Sequence, residues 1–498
     1  MFMLSLQLLY FWNVMKLSKK PGCVLALCLL FANVVTVKAQ DTWSLKRSVD
    51  YALANNITIK QQDVQKRLAD LTLKQSKLAQ VPSVNIGVDG TLGSGRNIDP
   101  YTNTIITQSY FTSGAGVTAG VTIFNWFSQQ NIIAANKYQS AAQGSLFIKA
   151  QNDVAFNIAN AFLQILLNNE QVHISELQVK LTTSQLENTK KLVIAGSVPE
   201  SNQADLESKL ASDSVTLVNA QNNVVISTLQ MKALLNLGFE VPYVPEIPEK
   251  IGDIPLPRLD EVDPEMVYSA ALSSNPLIKA DELLVKSMER SYASAKGQLY
   301  PKLSASANVN TSYANSANNA LVVGQTPYTV TVGQVVVNGT TYDVTQSGFK
   351  DNTVLKTIPF NDQINNNLRQ SIGLSLSIPI LNGWQARTNM QKAKLNITTQ
   401  QLVREKDNQQ LRQDIYTAHA NALAAIQKFS AASKGVVASQ RAYDFATKRF
   451  DLGLMNTIDY ITTQSNLFKA QVDKVSAQYD YIFKMKLLEF YRDQKITL

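Results

Sequence analysis

Chemistry at a protein site needs a nucleophile beside a base, a cluster of metal ligands, or a loop that cradles phosphate. This 498-residue chain spaces its residues for none of these. Its two histidines, His173 and His419, fall in helical runs with no spaced acidic or histidine partner, so each reads as a helix-surface residue. Both cysteines, Cys23 and Cys28, lie near the start of the chain, which excludes thiolate metal sites and disulfides from the rest. The glycine-rich "GTLGSG" (Gly90–Gly95) leads to no helix with a phosphate-binding lysine, so the phosphate-loop reading fails. No catalytic residue, cofactor or metal is expected, and the chain is read as not an enzyme.

The elements around these residues explain why. From Met15, a candidate true start, "MKLSKKPGCVLALCLLFANVVTVKAQ" has a basic beginning, an apolar run and a small-residue end. This is the layout of a secretory signal peptide over residues 1–39. A lipoprotein reading at Cys28 is disfavoured, because Leu27 rather than a small residue precedes it. Four of the 46 basic residues lie in the leader, leaving +4 against 38 acids. That balance, with no dense basic tract, gives no footprint for nucleic acid. Past the leader no run of eighteen apolar residues occurs, so any membrane crossing must be made by strands.

The rest is two copies of one unit. "YALANNITIK" at 51 matches "AALSSNPLIK" at 270, and Pro82 matches Pro301, a spacing of 219. Further on, "VTIFNWF" at 121 matches "IPILNGW" at 378, and Gly196 matches Gly453, a spacing of 257. The second copy therefore carries 38 extra residues between Pro301 and Ile378, read as a long exposed loop over about 314–367 with room for a small hairpin. The first repeat spans 40–237 and the second 261–498. Between them, 238–260 is a proline-rich connector.

Each copy holds two segments of strict alternation. Val84, Ile86 and Val88 alternate with Asn85, Gly87 and Asp89, and Ala115, Val117, Ala119 and Val121 with Gly116, Thr118, Gly120 and Thr122. Leu303, Ala305, Ala307 and Val309 alternate with serine and asparagine, and Ile372, Leu374, Leu376 and Ile378 with serine and glycine. One apolar and one small-polar face is the mark of a membrane β-barrel strand. Four strands cannot close a barrel, and an open edge cannot stand in lipid, so several copies must pool their strands. Trp126 and Trp384, just past the second strand of each pair, are placed at the membrane interface.

The remainder predicts helices of unusual length, about 100 Å each from Phe127 to Ala195 and from Trp384 to Leu452. Ile158, Ile165, Val172, Val179, Leu186 and Val193 recur every seventh residue, as do Ile415, Ala422, Phe429, Val436, Tyr443 and Phe450. This is a coiled-coil period. Gly196 and Gly453 are read as left-handed caps at the bend of a helical hairpin. "SVPE" (Ser197–Glu200) is then a capping box with Pro199 in the first turn, and "NTID" (Asn456–Asp459) a looser one.

This ordered set, found twice, resembles the TolC-type outer-membrane efflux channels. The resemblance covers essentially the whole mature chain and rests on "ALANNITIK"/"ALSSNPLIK", "VPSVNIG"/"YPKLSAS", "VTIFNW"/"SIPILNGW" and "IAGSVPESNQADLE"/"DLGLMNTIDYITTQ". It implies a mainly α chain with membrane β structure, a homotrimer sharing a twelve-stranded barrel, and an α-helical barrel reaching through the periplasm. It further implies an efflux or type I secretion conduit, whose partners are a periplasmic adaptor (a membrane fusion protein), an inner-membrane pump and outer-membrane lipid. The adaptor-facing residues would be Ala195, Gly196, Ser197, Val198, Leu452, Gly453, Leu454 and Met455. An acidic aperture six and nine residues past the second tip glycine would involve Asp459, where Thr462 stands at the ninth position; the first copy has Asn202 and Asp205 at the matching places. That pattern is incomplete, and Asp459 also suits its helix N-terminus. The alternative from another class is a periplasmic adaptor or structural coiled-coil spacer, which would not need the duplicated hairpins or the two-faced strands.

Overall fold

The computed structural model describes residues 42–98, 103–247, 256 and 258–494. The leader expected over 1–39 lies outside them. A short strand β1 (Thr42–Trp43) leads into helices α1 (Leu45–Asn55) and α2 (Ile57–Leu78). Their N-termini are closed by Ser44, which accepts from the Arg47 N–H, and by Asn56, which accepts from those of Thr58 and Ile59. Strands β2 (Ser83–Ile98) and β3 (Ile105–Phe124) follow, then α3 (Ser128–Ile194) and α4 (Glu200–Leu235).

After β4 (Val244–Pro245) the order recurs: α5 (Pro264–Ser274), α6 (Pro276–Gly297) and β5 (Lys302–Ala314). An inserted pair comes next, β6 (Asn318–Val337) and β7 (Thr340–Thr357), with a short helix α7 (Phe360–Asn366). The copy ends with β8 (Arg369–Ser377), α8 (Gln385–Asp451) and α9 (Thr457–Asp493). Helices α3 and α8 are each 67 residues long and begin at matching positions of the two copies. At 1.5 Å per residue each spans about 100 Å.

The four repeat strands form one antiparallel sheet in the order β2-β3-β5-β8. The strands at its two ends, β2 and β8, pair on one side only. The segment expected over 314–367 as a long exposed loop with room for a small hairpin is mostly one long, exposed hairpin. Strands β6 and β7 make a separate antiparallel ribbon, turned by Asn338 and Gly339, both at positive φ. This is the Asn-Gly turn whose twist matches a hairpin. Buried Gln363 clamps the ribbon's root, accepting from the Ala314 N–H and donating to the carbonyls of Ala314 and Ile358. The proline-rich connector is also tied down. Val244–Pro245 pairs in parallel with Thr42–Trp43, and the Tyr243 and Ser48 hydroxyls lie 3.1 Å apart.

Two apolar clusters sit where the short helices pack on the long ones. One joins Ile158, Phe162 and Ile165 to Met231, Leu235 and Ile482, and the other joins Ile415 and Ala422 to Val267, Met485 and Leu488. Away from these clusters, towards the glycine bends, the buried seam turns polar. Asn168 donates to Ser227 at 3.0 Å, Thr182 to Asp213 at 2.7 Å, and Lys209 pairs with Asp213 at 2.8 Å. The apolar heptad therefore only partly marks the seam: Ile158, Ile165 and Leu186 are buried, whereas Val172, Val179 and Val193 are half-buried. Polar layers of this kind hold two helices in a single register at some cost in stability.

The expected capping box at Ser197–Glu200 is not formed. Pro199 is the N-cap of α4 and no side chain caps it, because the Ser197 N–H is already committed to the Leu192 carbonyl in the preceding bend. The looser motif is the one that closes. Asn456 accepts from the Asp459 N–H and donates to the Asp459 carboxylate, both at 2.8 Å.

One buried group links a short helix to a long one. Asp281 of α6 is buried against α8 beside Asp407 and Arg404. Gln400 donates to its Oδ1 at 3.5 Å, and its Oδ2 faces no donor. Burial, followed by the charge and hydrogen bond of Asp407, pushes the Asp281 carboxyl up to about 6, with Arg404 pulling the other way. The folded chain thus holds this proton to higher pH than the unfolded chain, and stability falls as pH rises from about 4 to about 6. Asp281→Asn is expected to stabilise the protein by about 1–3 kcal/mol at pH 8 and by little at pH 4. Thermal unfolding of the detergent-solubilised protein at the two pH values checks this, and an equal effect at both would refute it.

Candidate functional site

The sheet registers settle which side chains share a face. Val84, Ala119, Ala307 and Ile372 stand in one row across the four strands, and Val121, Ala305 and Leu374 lie in another row on the same side. The opposite face carries Asn85, Thr118, Asn308 and Ser371 in one row, and Ser83, Gly120, Ser306 and Gly373 in another. All four apolar edges of the alternating segments therefore coincide. Among the described residues they have no cover: Ile86 is 76% exposed and Ile372 89%. The glycine-rich Gly90–Gly95 lies within β2, where the Tyr110 ring covers Gly93.

Aromatic residues bound this face at both ends. Near the helices, Trp126 packs on Tyr300 with ring centroids 4.9 Å apart, Phe124 contacts both Trp126 and Phe127, and Trp384 lies under Arg387. At the far end Phe111, Tyr313 and Phe360 form a second group that the sequence reading missed, since Phe360 belongs to the insertion. From Phe111 to Phe124 is 13 steps of one strand, about 33 Å of height at a tilt near 40°. That is close to the thickness of a bilayer's hydrocarbon core. Among the described residues no helix is long and apolar enough to cross a membrane.

The junction between sheet and long helix is the same in both copies. Trp126 and Phe127 both adopt positive φ, as do Gly383 and Trp384. Two successive left-handed residues form the joint that leads from strand into helix. Non-glycine residues hold that conformation at a cost of order 1–3 kcal/mol each, so packing must hold it in place.

The other end of the molecule is the pair of bends. Gly196 (φ +69°) and Gly453 (φ +73°) are left-handed, and each bend satisfies the last helical carbonyls in the same way. The N–H groups of Gly196 and Ser197 bond the carbonyls of Val193 and Leu192, and those of Gly453 and Leu454 bond the carbonyls of Phe450 and Arg449. Ala195, Gly196, Ser197, Leu452, Gly453 and Leu454 are exposed, while Val198 and Met455 are half-buried. Ile194 and Ile458, which the sequence reading passed over, are also exposed and make the tips more apolar, Ile194 at 87%. Asp459 is exposed at the start of α9 and bonded to Asn456; Asn202 and Asp205 are half-buried in the first turns of α4. Just inside the tips, Gln185 of the first hairpin donates to the hydroxyls of Tyr443 (3.2 Å) and Tyr460 (2.7 Å) of the second. Burial, then Tyr443, raises the Tyr460 phenol above its ordinary range.

Surfaces between these ends are also left open. On α2 the exposed apolar residues Ile57, Val64, Leu71 and Leu78 recur every seven positions, and on α8 Leu395, Leu402, Tyr416 and Leu423 keep the same period. Within the chain the equivalent joint is closed. There α3 packs on α6 through Ser128 to Ser294 at 2.9 Å and Ser287 to the Ala135 carbonyl at 2.9 Å.

The architecture has known counterparts. The chain is similar in fold to CusC, a transmembrane channel (14% identity, 90% of this chain and 91% of that one, TM-score 0.71). It is similar also to the outer membrane channel CmeC of Campylobacter jejuni (16%, 90% and 85%, TM-score 0.69) and to the outer membrane protein VceC of Vibrio cholerae (13%, 90% and 96%, TM-score 0.69). In sequence it matches the outer membrane protein TolC of Escherichia coli (strain K12) at 23% identity over 114 residues, a stretch covering 23% of each protein. A profile of the outer membrane efflux proteins matches residues 49–237 and 267–484, one stretch in each copy. With two matches that together span most of its length, the chain belongs to the outer membrane efflux protein family and is an outer-membrane protein.

Proposed function

We propose that three copies of this chain close into one channel, a passive conduit that carries cargo from a periplasmic adaptor and inner-membrane pump across the outer membrane. The observation that carries this reading is the four-stranded sheet with one apolar face, one small-polar face and two unpaired edges. In lipid every unpaired backbone group costs several kcal/mol, so β8 of one copy must pair with β2 of the next. Three copies give twelve strands, with the apolar face to lipid and the polar face to the lumen. The open heptads of α2 and α8 meet at the same boundary, as α6 and α3 do within the chain. The apolar tips then face the adaptor. Three copies of Asp459 at that end bias the entrance towards cations, although the first role of Asp459 is at its helix N-terminus. A coiled-coil spacer would have no use for a two-faced sheet.

The repeat fixes the register of the new joint. Ala119 of β3 lies opposite Ala307 of β5. Moved by the repeat spacings of 257 and 219, these positions become Leu376 and Val88. The double variant Val88→Cys, Leu376→Cys should therefore form covalent trimers on mild oxidation, because paired Cα atoms about 5 Å apart suit a disulfide. The pairing Val84→Cys with Leu376→Cys, four residues out of register, should not. Equal cross-linking of both pairs, or none, would overturn the ring. Leu374→Arg is expected to block membrane insertion through a lipid-face penalty of about 2–4 kcal/mol, whereas Ser375→Arg, on the lumen face, should insert. Fractionation distinguishes them, and equal behaviour would reverse the assignment of faces. Gly453→Val, which forces a β-branched residue into a left-handed bend, should leave the trimer intact. It should weaken binding of its periplasmic adaptor at least several-fold, measured by interferometry. Unchanged binding would remove the tip from the interface.

A further inference from the structure

The ribbon β6–β7 serves none of these roles, and its two faces differ. The register places Tyr328, Val330, Val335, Val337, Tyr342 and Val344 on one side, each 45% to 57% exposed. Tyr328 lies against Gly348, which leaves the face free of a projecting side chain there. From Tyr328 to the turn this side carries no charge. The other side is a polar ladder, with Gln325 donating to Asp351 (2.7 Å), Gln334 to Asp343 (2.8 Å), and Thr329 and Ser347 hydroxyls in contact at 3.2 Å. Val336 and Phe349 interrupt it. The ribbon's edges are guarded against strand addition by Pro327, by Lys350 and Lys356, and by bulges between Val322 and Gly324 and between Thr331 and Gly333. The face, not the edge, is what remains available.

We propose that the occupant of this face is the same face of the two sister ribbons, and that the three pack together on the channel axis beyond the outer membrane. This rests on the trimeric ring proposed above. The ribbon begins past the far aromatic group of Phe111, Tyr313 and Phe360, and its root is clamped by Gln363, so it stands outside the membrane. A twelve-stranded rim is roughly 25 Å across, whereas eighteen paired positions extend about 60 Å, so the ribbons reach one another. Tethering to one rim gives an effective concentration in the millimolar range. Like faces can meet because both acids of the ladder, Asp343 and Asp351, lie on the other side, away from the contact. Six half-exposed Val and Tyr side chains present an apolar area of roughly 500 Å² per ribbon, as large as the largest patch on a typical monomer. A lone two-stranded hairpin is marginal in water, and burying this face against its sisters supplies what it lacks.

The mature chain has no cysteine of its own, which makes the test direct. The full-length protein carrying Val335→Cys, purified in detergent and oxidised with copper phenanthroline, should give a covalent dimer band at least five-fold stronger than Gln334→Cys on the opposite face. Native mass is read in parallel. A trimer in which Val335→Cys links no better than Gln334→Cys overturns the packing of ribbons and leaves the ring standing. A doubled native mass on oxidation shows that the face joins separate channels and overturns it likewise. A monomeric native mass overturns the ring and, with it, this proposal.

Discussion

An N–H or carbonyl group with no partner cannot rest in hydrocarbon, and the whole molecule is arranged around that rule. The chain carries four strands with open edges on β2 and β8. Among the described residues nothing covers those edges, so in the proposed ring they are where one copy meets the next. The consequence spreads into the helices, where apolar residues of α2 and α8 remain exposed at coiled-coil spacing. Surfaces that would be faults in a monomer become, in the proposed ring, the fit between copies.

The tandem repeat is how one gene serves this geometry. The joint between the two halves of a chain, β3 to β5 and α3 to α6, is the pattern for the proposed joint between chains. The proposed ring of six similar units then needs only one kind of contact, used alternately within and between copies. The polar layers at Asn168–Ser227 and Thr182–Asp213 belong to the same logic. Helices this long could slide by a heptad if the seam were uniformly apolar, and a buried hydrogen bond removes that freedom.

Much of this was legible in the residues. Period-two alternation gave the four strands and the correct shared face, and the glycine pair gave both bends, because these are local signals set by the backbone. The 67-residue helices were legible from the absence of proline. Four features were not. The buried seam of Thr182, Asp213 and Ser227 looks like helix surface, since polar residues at a seam cannot be told from exposed ones without the partner helix. The Ser197 box failed because the bend's own hydrogen bonds had already taken the N–H groups. The insertion's asparagine, glycine and threonine content left room for a small hairpin but hid the length of its valine-rich strand pair; the Asn338-Gly339 turn was the signal that could have placed it. At the tips, Ile194 and Ile458 were passed over because apolar residues near a helix end are ordinary in sequence and notable only once seen uncovered.

The matched helices α3 and α8 have a last consequence, for how such a protein can change. One residue added anywhere along either would turn everything beyond it by about 100° and carry each buried side chain off its seam. Thirty-eight residues added between β5 and β8 left the pairing of those strands continuous from Lys302 to Asn310. The shaft is thus held to its length, whereas a segment inserted between β5 and β8 leaves the sheet beneath it undisturbed.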